Sequence, residues 1–244
     1  AARKESDAMK LIIPKEKTIP LFESKFIKVF DLQYEEGKHY YDATRRDREN
    51  LVATKSAEEF RTMLPDAVTC VVVVKGADGT PRLLLSKEYR YPAGQFLLNP
   101  PAGLLDPEDI DAGQENLSTA DADASREAAV LSAARREIQE ETGLIVQDTD
   151  ILYVFNPLLF SSPGMTDECN AFVCAVLDLD DPARLSQEGA VGSELFDGFE
   201  LLTKEETRHF LETGRDREGF FYSLSTWVAM MYFVSGLWEA YQKM

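Results

Sequence analysis

Three glutamates in one short stretch carry the chemistry this chain offers. Arg136 to Leu144 reads R-E-I-Q-E-E-T-G-L. At about 100° per residue, a helix there sets Glu137, Glu140 and Glu141 within one arc roughly 100° wide. Like charges at such spacings repel by roughly 0.2–0.5 kcal/mol per pair, so the face is either solvated or neutralised. A hard divalent cation with oxygen ligands neutralises it, and Mg2+ characteristically joins one or two carboxylates to substrate phosphates. Arg136, four residues before Glu140, is spaced to pair with that carboxylate and orient it. The plain alternative, a solvated acidic face, fits most E-x-x-E-E stretches, and the flanks must decide.

Composition narrows the classes. The chain has 244 residues, 44% of them hydrophobic and 28% charged, with a net charge of −17. This describes a soluble globular protein, and such a charge argues against nucleic acid as a partner. An anionic substrate must then be met by a few local Arg or Lys residues and by metal. Cys70, Cys169 and Cys174 lack metal-ligand spacing and fit a reducing, cytoplasmic location. His39 and His209 are the only histidines, little material for a zinc site or a Ser-His-Asp triad. The first residues show no signal-peptide pattern. The apolar run Trp227 to Tyr241 is short for a membrane span and carries Ser235, Gly236 and Glu239. It reads as a buried helix, with no membrane partner.

The elements that must position the glutamates follow from periodicity. Residues 1–16 read as a flexible lead-in. Residues 17–56 read as a small antiparallel unit, in which Phe26, Phe30, Leu32 and Tyr34 share a face, Gly37 turns the chain, and Tyr40 to Arg46 returns. Residues 57–244 form the main domain. Its strands are expected at Val68–Val74, Arg82–Tyr89, Phe96–Leu98, Leu144–Val146, Ile151–Phe155 and Cys169–Leu177. The glutamates sit on a helix N-capped by Asp123 or Ser125, with Ala128, Leu131, Ala134 and Ile138 as its buried stripe and Gly143 ending it. Thr203–Glu212 reads as a capped helix, and a last helix runs from about Ser223 to Gln242. The acidic segment 107–125 reads as an exposed insertion. Interleaved strands and helices give an α/β (α+β) class with a mixed sheet.

Gly103 followed by Arg136-Glu-Ile-Gln-Glu-Glu-Thr-Gly-Leu144 resembles the Nudix box, whose second half, R-E-U-x-E-E-x-G-U, is matched at every defined position. Pro101-Ala102-Gly103-Leu104-Leu105-Asp106 and Glu88-Tyr-Arg-Tyr-Pro92 look like segments of the ADP-ribose pyrophosphatase branch. The resemblance implies a Nudix α/β/α sandwich and Mg2+, with Mn2+ as the alternative ion. It implies Glu137 and Glu141 as main metal ligands, with Glu140 close by and the Ala102 carbonyl completing the set. Glu168, on a separate loop, falls where the branch carries its general base; the alternative is a plain loop acid. Arg90 matches a phosphate-binding Arg, and Arg46 lies where a second one sits, or else is a surface salt-bridge partner. Phe26 and Tyr41 align with an aromatic pair that stacks the nucleobase, or else are core aromatics. The implied reaction is hydrolysis of the pyrophosphate bond of a nucleoside diphosphate sugar, foremost ADP-ribose to AMP and ribose 5-phosphate, with GDP-mannose or ADP-glucose as alternatives. A homodimer with exchanged N-terminal units is implied as well. The competing class is a non-catalytic nucleotide-sugar-binding module.

The chain departs from the box in its first half. The pattern G-x5-E-x7-R is stretched by about 19 residues between Gly103 and Arg136. Counting back from Arg136 puts Ala128, with Glu127 adjacent, at the expected Glu. Segment 107–125 is then a lid, a reach to a second subunit, or an inert loop. Asn99 stands where the branch carries a Glu.

Overall fold

The computed structural model describes residues 13–110, 122–189 and 194–243. The chain divides into two compact units, one of residues 1–64 with 160–169, the other of residues 65–159 with 170–244.

In the first unit a three-stranded antiparallel meander runs β1 (Thr18–Glu23), β2 (Lys28–Glu35), β3 (Lys38–Thr44). The register Lys28↔Thr44 to Glu35↔Lys38 is closed by Gly37, at φ 70°, a left-handed position where a side chain would be strained. Phe30 and Leu32 pack with Ile13 and Leu51 into a small core. The pattern anticipated one hairpin; a preceding strand completes three. Phe26 does not share the Phe30 face, because Ser24 to Ile27 is the turn between β1 and β2, held by Ser24 Oγ on the Ile27 N–H at 3.0 Å. The short helix α1 (Ala57–Thr62) opens with a reciprocal Ser56–Glu59 capping box. The segment up to Cys169 joins this unit by pairing with β3: Ala43 and Thr166 form a parallel bridge, and the Ala43 N–H donates to the Met165 carbonyl at 3.0 Å.

In the second unit, β4 (Ala67–Lys75) is buried over its first eight residues, as an unbroken β-branched run predicts for a strand covered on both faces. Its neighbours are β5 (Pro81–Arg90), β6 (Gln95–Asn99), β7 (Ala102–Leu104), β8 (Ile151–Phe160), β9 (Cys169–Asp178) and β10 (Phe196–Leu202). The order is β10-β5-β4-β9-β8, with β6 on β5 and β7 on β4. The β4–β9 pair is parallel and β4–β5 antiparallel, so the sheet is mixed. Alternate residues of β4 feed two cores. Val68, Cys70, Val72 and Val74 pack with Val130, Ala133, Ala134 and Ile138 of α2 (Ala122–Thr142). Val71 and Val73 pack with Phe210 of α3 (Lys204–Thr213) and with Met230 and Phe233 of α4 (Leu224–Ser235). This is the expected α/β/α layering.

Several expectations are corrected. No strand forms at 144–146; Gly143, at φ 72°, ends α2, and the chain leaves it as coil. The buried stripe of α2 is Ala129, Val130, Ala133, Ala134 and Ile138, rotated from Ala128 and Leu131, which are half-buried. The last helix stops at Gly236, at φ 73°, and continues as 3-10 turns at Leu237–Lys243. Strand β10 was not legible, since the apolar residues of F-D-G-F-E-L-L, Phe196, Phe199, Leu201 and Leu202, do not alternate and Gly198 interrupts them. Most of the 107–125 insertion, including any lid role, lies outside the described residues. None of the described helices is long and apolar enough to cross a membrane.

Candidate active site

The last turns of α2 carry the acidic face, but two of its glutamates are not solvated: Glu137 is 6% and Glu141 4% exposed. The sheet does this. The β4–β7 register Val68↔Gly103 and Thr69↔Ala102 lays 102–104 against the helix, and the Ala102 N–H donates to Glu141 Oε1 at 3.3 Å. A Cβ on Gly103 would fall 2.0 Å from Glu137 Oε1. Glycine is required there because the carboxylate occupies the volume a side chain would fill. Pro101 fixes the approach, its carbonyl accepting the Cys70 N–H at 2.8 Å.

Arg136 braces the acids through both terminal nitrogens. Its Nη1 donates to Glu137 Oε1 at 2.6 Å and to Glu140 Oε2 at 3.3 Å. Its Nη2 donates to the Leu104 carbonyl at 2.8 Å and to Asp109 Oδ2 at 2.9 Å. Asp109 is buried and held in turn by Ser132 Oγ at 2.8 Å and the Asp106 N–H at 3.1 Å. Asp109 was missed, and the signal was present: it is the sixth residue after Gly103, the G-x5-E position with Asp for Glu. Counting back from Arg136 pointed to Ala128, but the insertion lies after the acid rather than before it. Glu127 is exposed and is not in this network. Asn99 is buried and serves packing, its Oδ1 accepting from Ser223 Oγ, the N-cap of α4, at 2.9 Å.

The cluster holds more negative charge than Arg136 cancels. Burial pushes the Glu137 carboxyl up to about 7, opposed by Arg136 and reinforced by Glu140 and Glu194. Burial also lifts Glu141 well above the usual range, opposed by the Ala102 N–H and reinforced by Glu88, Glu137 and Glu194. Glu88, at the end of β5, is raised by burial as well, although Arg90 Nη2 pairs with it at 2.7 Å. Among the described residues no three acidic, His or Cys side chains form a ready-made metal cage. The donor set is nevertheless all oxygen, buried and under-neutralised. It suits a hard cation that keeps several waters and takes one or two carboxylates. Glu137 and Glu141, with Glu140 at the rim, are the side chains able to hold such an ion.

The remaining expected residues lie in the first unit, Arg90 excepted. Glu168 is partly exposed and paired with Arg45 Nε at 3.0 Å. Arg45, which the sequence reading did not single out, shares a hollow of about 270 Å3 with Phe26 and Glu168. Phe26 and Tyr41 are 68% and 59% exposed, so neither is a core aromatic. Arg46 is not a surface arginine: its side chain is 13% exposed, its Nε lies 3.7 Å from Asp167 Oδ2, and its Nη2 3.6 Å from Cys169 Sγ. Arg90, by contrast, is 44% exposed.

The NUDIX domain family model matches residues 63–221. An uncharacterised Nudix hydrolase of Schizosaccharomyces pombe is 29% identical over 117 residues, 48% of this chain and 45% of its own length. Nudix hydrolase 2 of Caenorhabditis elegans is 30% identical over 142 residues, covering 58% and 52%. The ADP-ribose pyrophosphatase of Saccharomyces cerevisiae is 28% identical over 145 residues, covering 59% and 52%. The matches thus span about half the length of these curated relatives. The crystal structure of an ADP compounds hydrolase superposes with a TM-score of 0.52 at 20% identity, covering 92% of each chain, and shares the fold. With the family model spanning most of the chain and the buried Glu137–Glu141 face seated on Gly103, the protein belongs to the NUDIX domain family.

Proposed function

We propose that this chain hydrolyses the pyrophosphate bond of a nucleoside diphosphate sugar with Mg2+, ADP-ribose being the foremost substrate and AMP and ribose 5-phosphate the products. The observation that carries the reading is the pair of buried, under-neutralised carboxylates, Glu137 and Glu141, in a family of hydrolases. The yeast relative's ADP-ribose pyrophosphatase name supports the substrate. Mn2+ is the alternative ion.

When bound, the divalent ion supplies neutralisation of pyrophosphate charge and a lowered pKa for water. The chain's own residues do the rest. Glu137 and Glu141 hold the ion, and Ala102, whose N–H fixes Glu141, completes the set through its carbonyl. Arg136 keeps Glu137 and Glu140 in register. Arg90 and Arg46 take phosphate oxygens, a task suited to the guanidinium fork. The near-burial of Arg46 makes Arg45 the better-exposed candidate beside it. Glu168 accepts the proton of the attacking water; Arg45 occupies its Oε2, which leaves Oε1 for that proton. Phe26 and Tyr41 offer exposed rings for the nucleobase. Leu21, Phe22 and Ile27 of the first unit are exposed as well, and such exposed apolar side chains support a homodimer formed through the N-terminal strands.

The test is a panel of ADP-ribose, ADP-glucose and GDP-mannose assayed with Mg2+ and Mn2+ and ranked by kcat/KM. ADP-ribose is expected first, and a panel without metal-dependent turnover contradicts the reading. Glu168→Gln is expected to lower kcat by about 10²–10⁴-fold; an unchanged kcat removes Glu168 as the base. Sedimentation showing an active monomer rejects the dimer.

A further inference from the structure

A second hollow in the first unit, of about 220 Å3, is used by none of this chemistry. Its walls are apolar, with Leu32, Val52, Phe160 and Met165, and its polar side chains include Asp42 of β3 and Asp167 of the following loop. No Lys, Arg or His lines it. Successive β3 residues point to opposite faces, so Asp42 stands back to back with Ala43, which lines the hollow of Phe26 and Glu168.

The two acids are buried and incompletely satisfied. Asp42 is 6% exposed and the Asp167 side chain 9%. Asp42 Oδ2 and Asp167 Oδ1 have no hydrogen-bond partner. Asp167 Oδ2 accepts the Val52 N–H at 3.2 Å. The charged groups facing Asp42 are Asp167 from the loop and Arg46 from beyond β3. Asp167 Oδ2 is ion-paired with Arg46 Nε at 3.7 Å, longer than a hydrogen bond. Burial, then the Asp167 charge, pushes the Asp42 carboxyl up to about 7, against the Asp167 backbone N–H that donates to it and, more weakly, the pull of Arg46. Buried acceptors without donors, in an apolar surround, destabilise the empty hollow. An anion is repelled there; a group with several N–H donors and a positive charge is matched. The volume lies below the ~300–1,000 Å3 of drug-sized pockets, which limits the ligand to a small head and a short stem.

We propose that this hollow binds a small organic cation, a primary ammonium or guanidinium on a short apolar stem, through the carboxylates of Asp42 and Asp167. Of the wall residues, Met165 belongs to the loop ending in Glu168 and Phe160 ends β8 just before it, so an occupant braces that loop. This last consequence rests on the hydrolase reading; the binding does not.

The test is calorimetric titration with butylammonium and butylguanidinium, and with n-butanol as the neutral control, one pH unit below and one above the Asp42 midpoint. Both cations are expected to bind saturably and butanol not. With a midpoint of about 7, affinity rises roughly tenfold across that window, because the cation selects the ionised acid and releases its proton. Asp42→Asn and Asp167→Asn are each expected to weaken binding by about tenfold or more. Ala53→Leu, which fills the hollow without touching the charges, is expected to abolish it. Thermal melts confirm that each variant folds. The cation also exists as a Lys or Arg side chain on a second copy of this chain. Sedimentation separates the sources: unchanged mass on adding probe assigns the hollow to a free cation, and dissociation of a self-associated species assigns it to the second copy. Absence of saturable heat from either cation, equal binding of butanol, or undiminished binding by Asp42→Asn overturns the proposal.

Discussion

Replacing Asp109 by Asn removes one charge from the Arg136 brace while keeping the shape. The carboxylate is 5% exposed and accepts from Arg136 Nη2 at 2.9 Å, Ser132 Oγ at 2.8 Å and the Asp106 N–H at 3.1 Å. An amide has one oxygen for these donors and turns its NH2 toward another. A hydrogen bond to a charged group contributes roughly 1.5–3 kcal/mol. Arg136 keeps Glu137, Glu140 and the Leu104 carbonyl and is 27% exposed, so the lower half of that range applies, about 1.5–2 kcal/mol. At roughly 2–4 °C per kcal/mol for a domain of this size, Tm falls by roughly 3–8 °C. Without Asp109 the guanidinium relaxes further onto Glu137 and Glu140 and competes harder with a divalent ion. The Kd for Mn2+, read by electron paramagnetic resonance, is expected to rise by about three- to tenfold, roughly 0.6–1.4 kcal/mol. Asp109→Glu, which keeps the charge, retains most of both. A melt within about 1 °C of wild type, together with unchanged Mn2+ affinity, refutes the brace.

Gly103→Ala places a Cβ 2.0 Å from Glu137 Oε1; overpacking of about 1–3 kcal/mol is expected, and Mn2+ titration should show lost binding. Glu141→Gln removes a buried charge whose carboxyl is raised by burial. An acid raised in the folded state destabilises it as pH rises past the unfolded pKa. In EDTA the variant should therefore melt above wild type at neutral pH and match it in acid, while losing the rise in Tm that metal gives wild type. Asp42→Asn follows the same sign: the carboxyl moves from 3.8 to about 7, a penalty that grows across that window to at most about 4 kcal/mol. Denaturant melts should show the gain above neutrality and none near the lower value.

The hydrolase family was legible because 136–144 matches the second half of the Nudix box at every defined position; the spacing of the carboxylates alone fits a solvated acidic face as well. The buried strand β4 was equally plain from its β-branched run, and the Thr203 cap from its reciprocal Glu206, whose carboxylate accepts the Thr203 N–H at 2.9 Å. What failed depended on partners distant in sequence. Asp109 acquires its role only when the 102–104 strand lies against α2, and an insertion of unknown placement defeats counting from one end alone. Arg45 and Arg46 are indistinguishable in a strand pattern until the sheet turns one outward to Glu168 and the other in toward Asp167. The burial of Glu137 and Glu141 was not readable either: amphipathic spacing marks a polar face without saying what covers it.

The most direct test of the central claim pairs metal binding with turnover in one protein. Mn2+ titration of wild type, Glu137→Gln and Glu141→Gln is followed by AMP release from ADP-ribose with Mg2+. Saturable Mn2+ binding and EDTA-sensitive AMP release are expected in wild type, with both lost in each variant while the fold persists by melting. AMP release at the wild-type rate from either variant, or from wild type in EDTA, contradicts that claim.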